Sequence, residues 1–165
     1  YTAAKIILPL LSLSKTKLAL KQTTWPGRVH QIEHGNIINY RKNITILDGA
    51  HNEDSAHVLD EYLNKKSLGK WNLIIGMLRN RDVKGFVNIF KNNINKVYAI
   101  PIPNTESAYS SDQIMNKLKK SGLQVLPAKN LENALEIADK DLPLLITGSL
   151  YLAGYTLRFN ETNIN

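Results

Sequence analysis

Apolar positions along this chain follow two alternating patterns. Short, nearly continuous runs of aliphatic and β-branched residues occur at Ile44–Leu47, Asn72–Met77, Val97–Ile100, Leu123–Leu126 and Leu144–Thr147. Each predicts a buried strand. Between them, apolar residues recur three and four positions apart, the spacing of an amphipathic helix. Ala56, Leu59, Tyr62 and Leu63 form such a stripe within 53–66, and Val83, Phe86, Val87 and Phe90 form one within 83–92. Further helices are expected over 111–120, over 131–140 with Leu131, Ala134, Leu135 and Ala138 inside, and after Ser149. Start signals agree, with Asn52 and Asp82 as N-caps and Ser110 to Gln113 as a capping box. Val29–Ile38 reads as an extended ribbon or hairpin interrupted by Gly35. Alternating strands and helices imply right-handed crossovers and an α/β fold with a mostly parallel sheet covered on both faces.

The first residues depart from this rhythm. Residues 1–20 carry an apolar stripe, Ala3, Ala4, Ile6, Ile7, Leu10 and Leu11, with a kink or break expected at Pro9. Thr23-Thr24-Trp25-Pro26-Gly27 stops any helix. The expected organisation is therefore a tail and linker over 1–27 and a domain over 28–165, with Leu10, Leu11 and Trp25 partly uncovered.

Composition narrows the function classes. With 165 residues and 43% hydrophobic content, the chain has enough for one core. There is no Cys, so no disulfide framework or thiolate metal site is available. No apolar run approaches the ~20 residues of a membrane helix, and a cytoplasmic protein without membrane contact is expected. The net charge of +7 comes from sixteen Lys and five Arg. The Lys are scattered as on a solvated surface, which argues against nucleic acid as a partner. Arg is scarce, which draws attention to Arg28 and to the pair Arg79 and Arg81.

In a parallel sheet, ligands bind at the carboxyl ends of the strands. The polar segments Asp48–Asn52, Arg79–Asp82, Pro101–Glu106 and Gly148-Ser149 all follow predicted strands. They should converge on one edge, with Asp48, His51, Arg81 and Ser149 clustered. A carboxylate there can take two ribose hydroxyls. The helix start at His51 and Asn52 offers amides and a dipole to an anion. A plain Asp-Gly turn, an Asn cap and a surface His would use the same residues. His51 and His57 lie six apart and face away from each other on a helix. His30 and His34 can share a strand face but lack a third ligand, so no metal site is assigned. Neither a Gly-x-Gly-x-x-Gly fingerprint nor a Walker A loop occurs.

Taken together, these motifs resemble the C-terminal domain of the folylpolyglutamate synthase/dihydrofolate synthase family, within the Mur ligase superfamily. Trp25-Pro26-Gly27-Arg28 is similar to the family's interdomain motif, and Ile46–Asn52 to its strand-and-turn hallmark. Gly76-Met77-Leu78 with Arg81-Asp82, and Thr147-Gly148-Ser149-Leu150-Tyr151-Leu152, are similar to later segments in the same order. The resemblance spans about residues 25–158.

The resemblance implies a Rossmann-like Mur ligase C-terminal domain and an ATP-dependent chemistry. MgATP phosphorylates a folate or dihydropteroate carboxylate, and the amine of glutamate displaces phosphate to form an amide. By the same resemblance, Arg28 and Asp48 serve ATP, while His51 and Ser149 hold the incoming glutamate. No catalytic residue is assigned within these residues. The phosphate loop, most magnesium ligands and most of the folate site belong to an N-terminal domain absent from this chain. Thr2-Ala3-Ala4 stands where the family has Asn-Ala-Ala. The chain alone is therefore expected to be a monomer without turnover. Substituting Arg28 or Asp48 is expected to leave the fold intact. The alternatives are the corresponding domain of a cell-wall Mur ligase and a non-catalytic α/β binding module.

Overall fold

The computed structural model describes residues 27–161. The expected 1–20 helix, the exposure of Leu10, Leu11 and Trp25, the Thr2-Ala3-Ala4 segment and the chain end beyond 161 lie outside the described residues.

Strands β1 (His30–Gln31), β2 (Thr45–Leu47), β3 (Trp71–Ile75), β4 (Ile94–Ala99), β5 (Gln124–Pro127) and β6 (Leu144–Thr147) form one sheet in the order β1-β2-β6-β3-β4-β5. All neighbours are parallel except β1, which runs antiparallel to β2. The α-helices are α1 (Glu53–Lys66), α2 (Val83–Phe90), α3 (Ser111–Leu118), α4 (Leu131–Ile137) and α5 (Leu150–Phe159). Every expected strand and helix over 44–159 is present, with shifted ends. β4 starts at Ile94, three residues earlier than expected, and α4 stops at Ile137, where Ala138 turns extended. The 29–38 ribbon is the larger departure. Only His30 and Gln31 pair, Gly35 takes φ +92°, and Asn36–Tyr40 coils into a 3-10 helix. The side chain of Asn160 explains this: it accepts from the Ile37 amide (2.8 Å) and donates to the His34 carbonyl (2.7 Å), pulling the chain away from the sheet and onto the end of α5.

Period-2 alternation divides the core. Ile46, Leu73, Ile75, Val97, Ala99 and Leu145 face α1, α2 and α3. Leu47, Ile74, Tyr98, Leu144 and Ile146 face α4, α5 and the 3-10 helix. Central strands β3 and β6 are buried along their whole length, as continuous apolar runs require. Edge strand β5 is protected chemically. The Ala128 amide bonds the Ala99 carbonyl on β4, so Pro127 occupies an outward-pointing position and has no N–H to offer a further strand.

Strand order also places a crevice. β2 leads into α1 on one face, whereas its neighbour β6 leads into α5 on the other. Loops leaving adjacent strands for opposite faces open a gap between them, the topological switch point at which open α/β sheets bind ligands.

Candidate functional site

The crevice is built from two stitched loops. The Asp48 amide bonds the Ile146 carbonyl at 2.9 Å, and the Gly148 amide bonds the Ala50 carbonyl at 3.0 Å. The Thr147 hydroxyl reaches the same Ala50 carbonyl at 3.3 Å. Gly148 sits at φ +117°, and a Cβ there would meet the Gly76 carbonyl oxygen at 2.7 Å and Met77 Cγ at 2.8 Å. Only glycine lets the β6 loop press this closely on the end of β3.

Asp48 is buried, with 8% of its surface exposed. Its Oδ2 accepts from the Val29 amide and its Oδ1 from the Ala50 amide, both at 2.7 Å. Val29 is β-branched yet adopts φ +43°, a strained conformation that this bond helps to hold. Gly49 adds a second tie, its amide donating to the Gly27 carbonyl at 2.7 Å. Burial pushes the Asp48 carboxyl above its ordinary range, opposed by the Val29 and Ala50 amides and by the charges of Arg28 and His51. This carboxylate thus anchors the entering chain to the turn. Each of its oxygens keeps one further lone pair for a ligand hydroxyl.

The turn after β2 is otherwise self-satisfied. Asn52 caps α1 through the Ser55 amide at 3.0 Å, and Ser55 Oγ accepts from the His51 and Asn52 amides at 3.2 Å each. The amides of Gly49, Ala50, His51, Asn52 and Ser55 are thus all taken. The side-chain cation at this turn is Arg28, with the His51 ring beside it. His51 Nδ1 lies 2.8 Å from the Gly49 carbonyl, which can only accept, so Nδ1 carries the proton. Nε2 is left to accept from an ammonium when the ring is neutral, or to donate to a carboxylate when it is cationic.

Two clefts share His51 and Leu150. One, of about 140 Å³, is lined by Arg28, Asp48, His51, Asn52 and Ser55. Its neighbour, of about 110 Å³, is lined by His51, Leu78, Arg81, Gly148, Ser149 and Tyr151. Four of the expected residues, Arg28, Asp48, His51 and Ser149, with Arg81, therefore meet at one sheet edge. Ser149 caps α5, its Oγ accepting from the Tyr151 amide at 3.1 Å, which leaves the hydroxyl proton free to donate. Arg81 is half-buried, and its Nε–H finds no acceptor among the described residues. Leu150 and Tyr151, 57% and 62% exposed, form an apolar rim. The Pro101–Glu106 loop lines neither cleft. His57 is exposed on α1. His30 and His34 line a separate cleft with Glu33. Among the described residues, no three His, Asp or Glu are grouped to hold a metal. Arg81 joins the cluster as expected, although no ligand role was read for it; Leu150 and Tyr151 were missed as site residues. A place just after a strand and the scarcity of Arg were the signals for Arg81; nothing local in sequence marks an exposed rim.

Comparison with known proteins bears on the family and the fold. Residues 30–159 match the family model "Dihydrofolate synthetase, C-terminal domain". The chain is 26% identical to a folylpolyglutamate synthase of Lacticaseibacillus casei, over 87% of this chain and 35% of that protein. It thus spans about a third of that relative's length. Folylpolyglutamate synthase of Mycobacterium tuberculosis, solved with ADP and AMPPCP, superposes with TM-score 0.80 at 19% identity, over 96% of this chain and 38% of that one. The bifunctional folylpolyglutamate synthase/dihydrofolate synthase of Yersinia pestis, complexed with AMPPNP and Mn, gives 0.73 at 22% identity, over 90% and 34%.

Proposed function

Because the chain belongs to the dihydrofolate synthetase C-terminal domain family, we propose that it is the C-terminal part, over residues 28–165, of an ATP-dependent ligase joining glutamate to a folate or dihydropteroate carboxylate. One observation carries this reading: a cleft holding Arg28 and Asp48 adjoins a cleft holding Arg81 and Ser149, with His51 common to both. A ligase of this kind must hold a nucleotide and an acidic amino acid side by side. The paired clefts suit that task.

Asp48 fits a ribose, because its buried oxygens retain free lone pairs beside an exposed cation, Arg28. The Arg28 guanidinium suits phosphate oxygens, spreading charge over several donors. Ser149 O–H, Arg81 Nε–H and cationic His51 Nε2–H are donors for the carboxylates of glutamate. Neutral His51 accepts from its ammonium instead. ATP supplies the phosphoryl group that turns the folate carboxylate into a mixed anhydride. Attack by the glutamate amine then forms the amide and releases phosphate. The residues described here do not fit a resident magnesium, since no three His, Asp or Glu are grouped among them. The phosphate cradle and metal ligands are assigned to another part of the ligase. Activity is placed in the cytoplasm, where ATP and folates are available.

Titration of the chain with ATP and then L-glutamate, followed residue by residue by NMR, tests this. ATP should shift the signals of residues 48–52, and glutamate those of Arg81 and 148–151. Shifts confined to the His30–Gly35 cleft, or none with either ligand, would overturn the assignment.

A further inference from the structure

The loop that carries Arg81 is held from outside the site. After β3 the chain passes Met77, Leu78 and Arg79, and the segment arriving from β4 runs against it. The Arg79 amide bonds the Ser107 carbonyl at 2.8 Å, and the Tyr109 amide bonds the Met77 carbonyl at 2.9 Å. Leu78 and Ala108 form an isolated antiparallel bridge, and Arg79 Nε donates to the Ala108 carbonyl at 3.1 Å. The Arg79 Nε–H is thus taken by the backbone. That of Arg81, two residues on, is buried and faces no protein acceptor among the described residues.

Tyr109 closes this brace. Its hydroxyl donates to the Arg79 carbonyl at 2.8 Å and lies 3.5 Å from the Arg81 carbonyl, so one proton spans both ends of the turn. The ring is fixed by Lys117 of α3, whose Nζ lies 4.9 Å from its centroid. We infer that Tyr109 is a positioning residue: through its hydroxyl it sets the Arg79–Arg81 turn and thereby aims the Arg81 guanidinium into the cleft shared with His51 and Ser149. Tyr109 touches no ligand in this role. It acts through the backbone of the turn, and the Pro101–Ser110 crossover, which lines neither cleft, gains a function as a support. The ligand side of this inference rests on the proposed glutamate site; the brace itself does not.

The test uses Tyr109→Phe, which keeps the ring and its contact with Lys117 and removes only the hydroxyl. The first readout is solvent exchange of the Arg81 Nε–H, measured without ligand. Exchange should quicken about tenfold in Tyr109→Phe, while the amides of Ile74 and Val87 keep wild-type protection. Unchanged Arg81 exchange would overturn the inference, as would a matching loss of protection at Ile74 and Val87, which would signal general destabilisation. Tyr109→Leu should match Tyr109→Phe at Arg81; if the Leu variant alone disturbs Arg81, the ring and not the hydroxyl sets the turn, and the inference fails. The second readout is L-glutamate titration, where Tyr109→Phe should weaken binding several-fold. Should wild type ignore glutamate, the proposed function falls, and the exchange measurement still decides the role of Tyr109.

Discussion

Asp48 is a cleft-lining residue that also holds the backbone together. Its two oxygens hold the Val29 and Ala50 amides, one of them in a strained segment. Asp48→Ala orphans both amides, and hydrogen bonds to a charged group contribute roughly 1.5–3 kcal/mol each. Because removing a buried charge recovers part of that, a net loss on the order of 3 kcal/mol is expected, read by chemical denaturation. Exposed Arg28 has no such duties, so Arg28→Ala should stay within about 0.5 kcal/mol of wild type. The pH dependence follows from the direction of the Asp48 shift. Burial raises its folded pKa above the ordinary 3.8. As pH rises past that value, the unfolded chain releases its proton first and is stabilised, so this contribution to folding is full below it and is lost as pH climbs through the raised folded pKa. The stability of wild type minus that of Asp48→Asn should therefore fall on going from about pH 3 to about pH 7 and then level off. A difference that rises with pH would show that the amides and Arg28 outweigh burial.

At the scale of elements, a helix cap also lines a cleft. Ser149 opens α5 and borders the Arg81 cleft. Ser149→Ala should lose about 1 kcal/mol of stability with the cap. Ser149→Asp keeps a capping oxygen but places a negative charge where a carboxylate is expected. Its melting temperature should stay near wild type while L-glutamate binding disappears. If Ser149→Asp binds glutamate normally, Ser149 is a cap and nothing more. The preceding residue tests the close approach of two strand ends. Gly148→Ala combines a positive φ with a Cβ 2.7 Å from a backbone oxygen. Backbone strain and overpacking each cost roughly 1–3 kcal/mol, so the variant should be among the least stable single substitutions, by denaturant midpoint.

For the whole molecule, stability should be graded across the sheet. β3 and β6 lie at the centre and are buried on both faces, whereas β1 contributes two residues at an edge. Hydrogen exchange should reach the global unfolding limit at Leu73–Ile75 and Leu145–Ile146, and run orders of magnitude faster at His30 and Gln31. Equal protection at β1 and β3 would contradict this gradient. The same arrangement makes the ligand crevice a junction between a rigid strand, β6, and a loop pinned by Asp48 to the entering chain.

Much of this was written locally. Continuous apolar runs and helical spacing marked each strand and α-helix from Ile44 to Phe159, because burial is imprinted on a short window. Caps at Asn52, Asp82, Ser110 and Ser149 were equally local, since a side chain meets an amide two or three residues away. The Asp48–Asn52 turn and Ser149 announced themselves as chemistry for the same reason. Failures came where distant segments compete for the backbone: Asn160 coils the residues after Gly35 that in isolation read as a ribbon. Strand order was also beyond any window. Only long-range pairing inserts β6 between β2 and β3, and that insertion brings Ser149 to His51 and Arg81, and the Ala50 carbonyl to Gly148. Periodicity and turn composition in the sequence alone mark the strands, the helices and the polar turns that follow the strands. The tertiary structure decided which of them meet, which are already committed to holding the backbone, and that Tyr109 supports Arg81, because hydrogen-bond partners far apart in the chain are chosen by packing and not by local propensity.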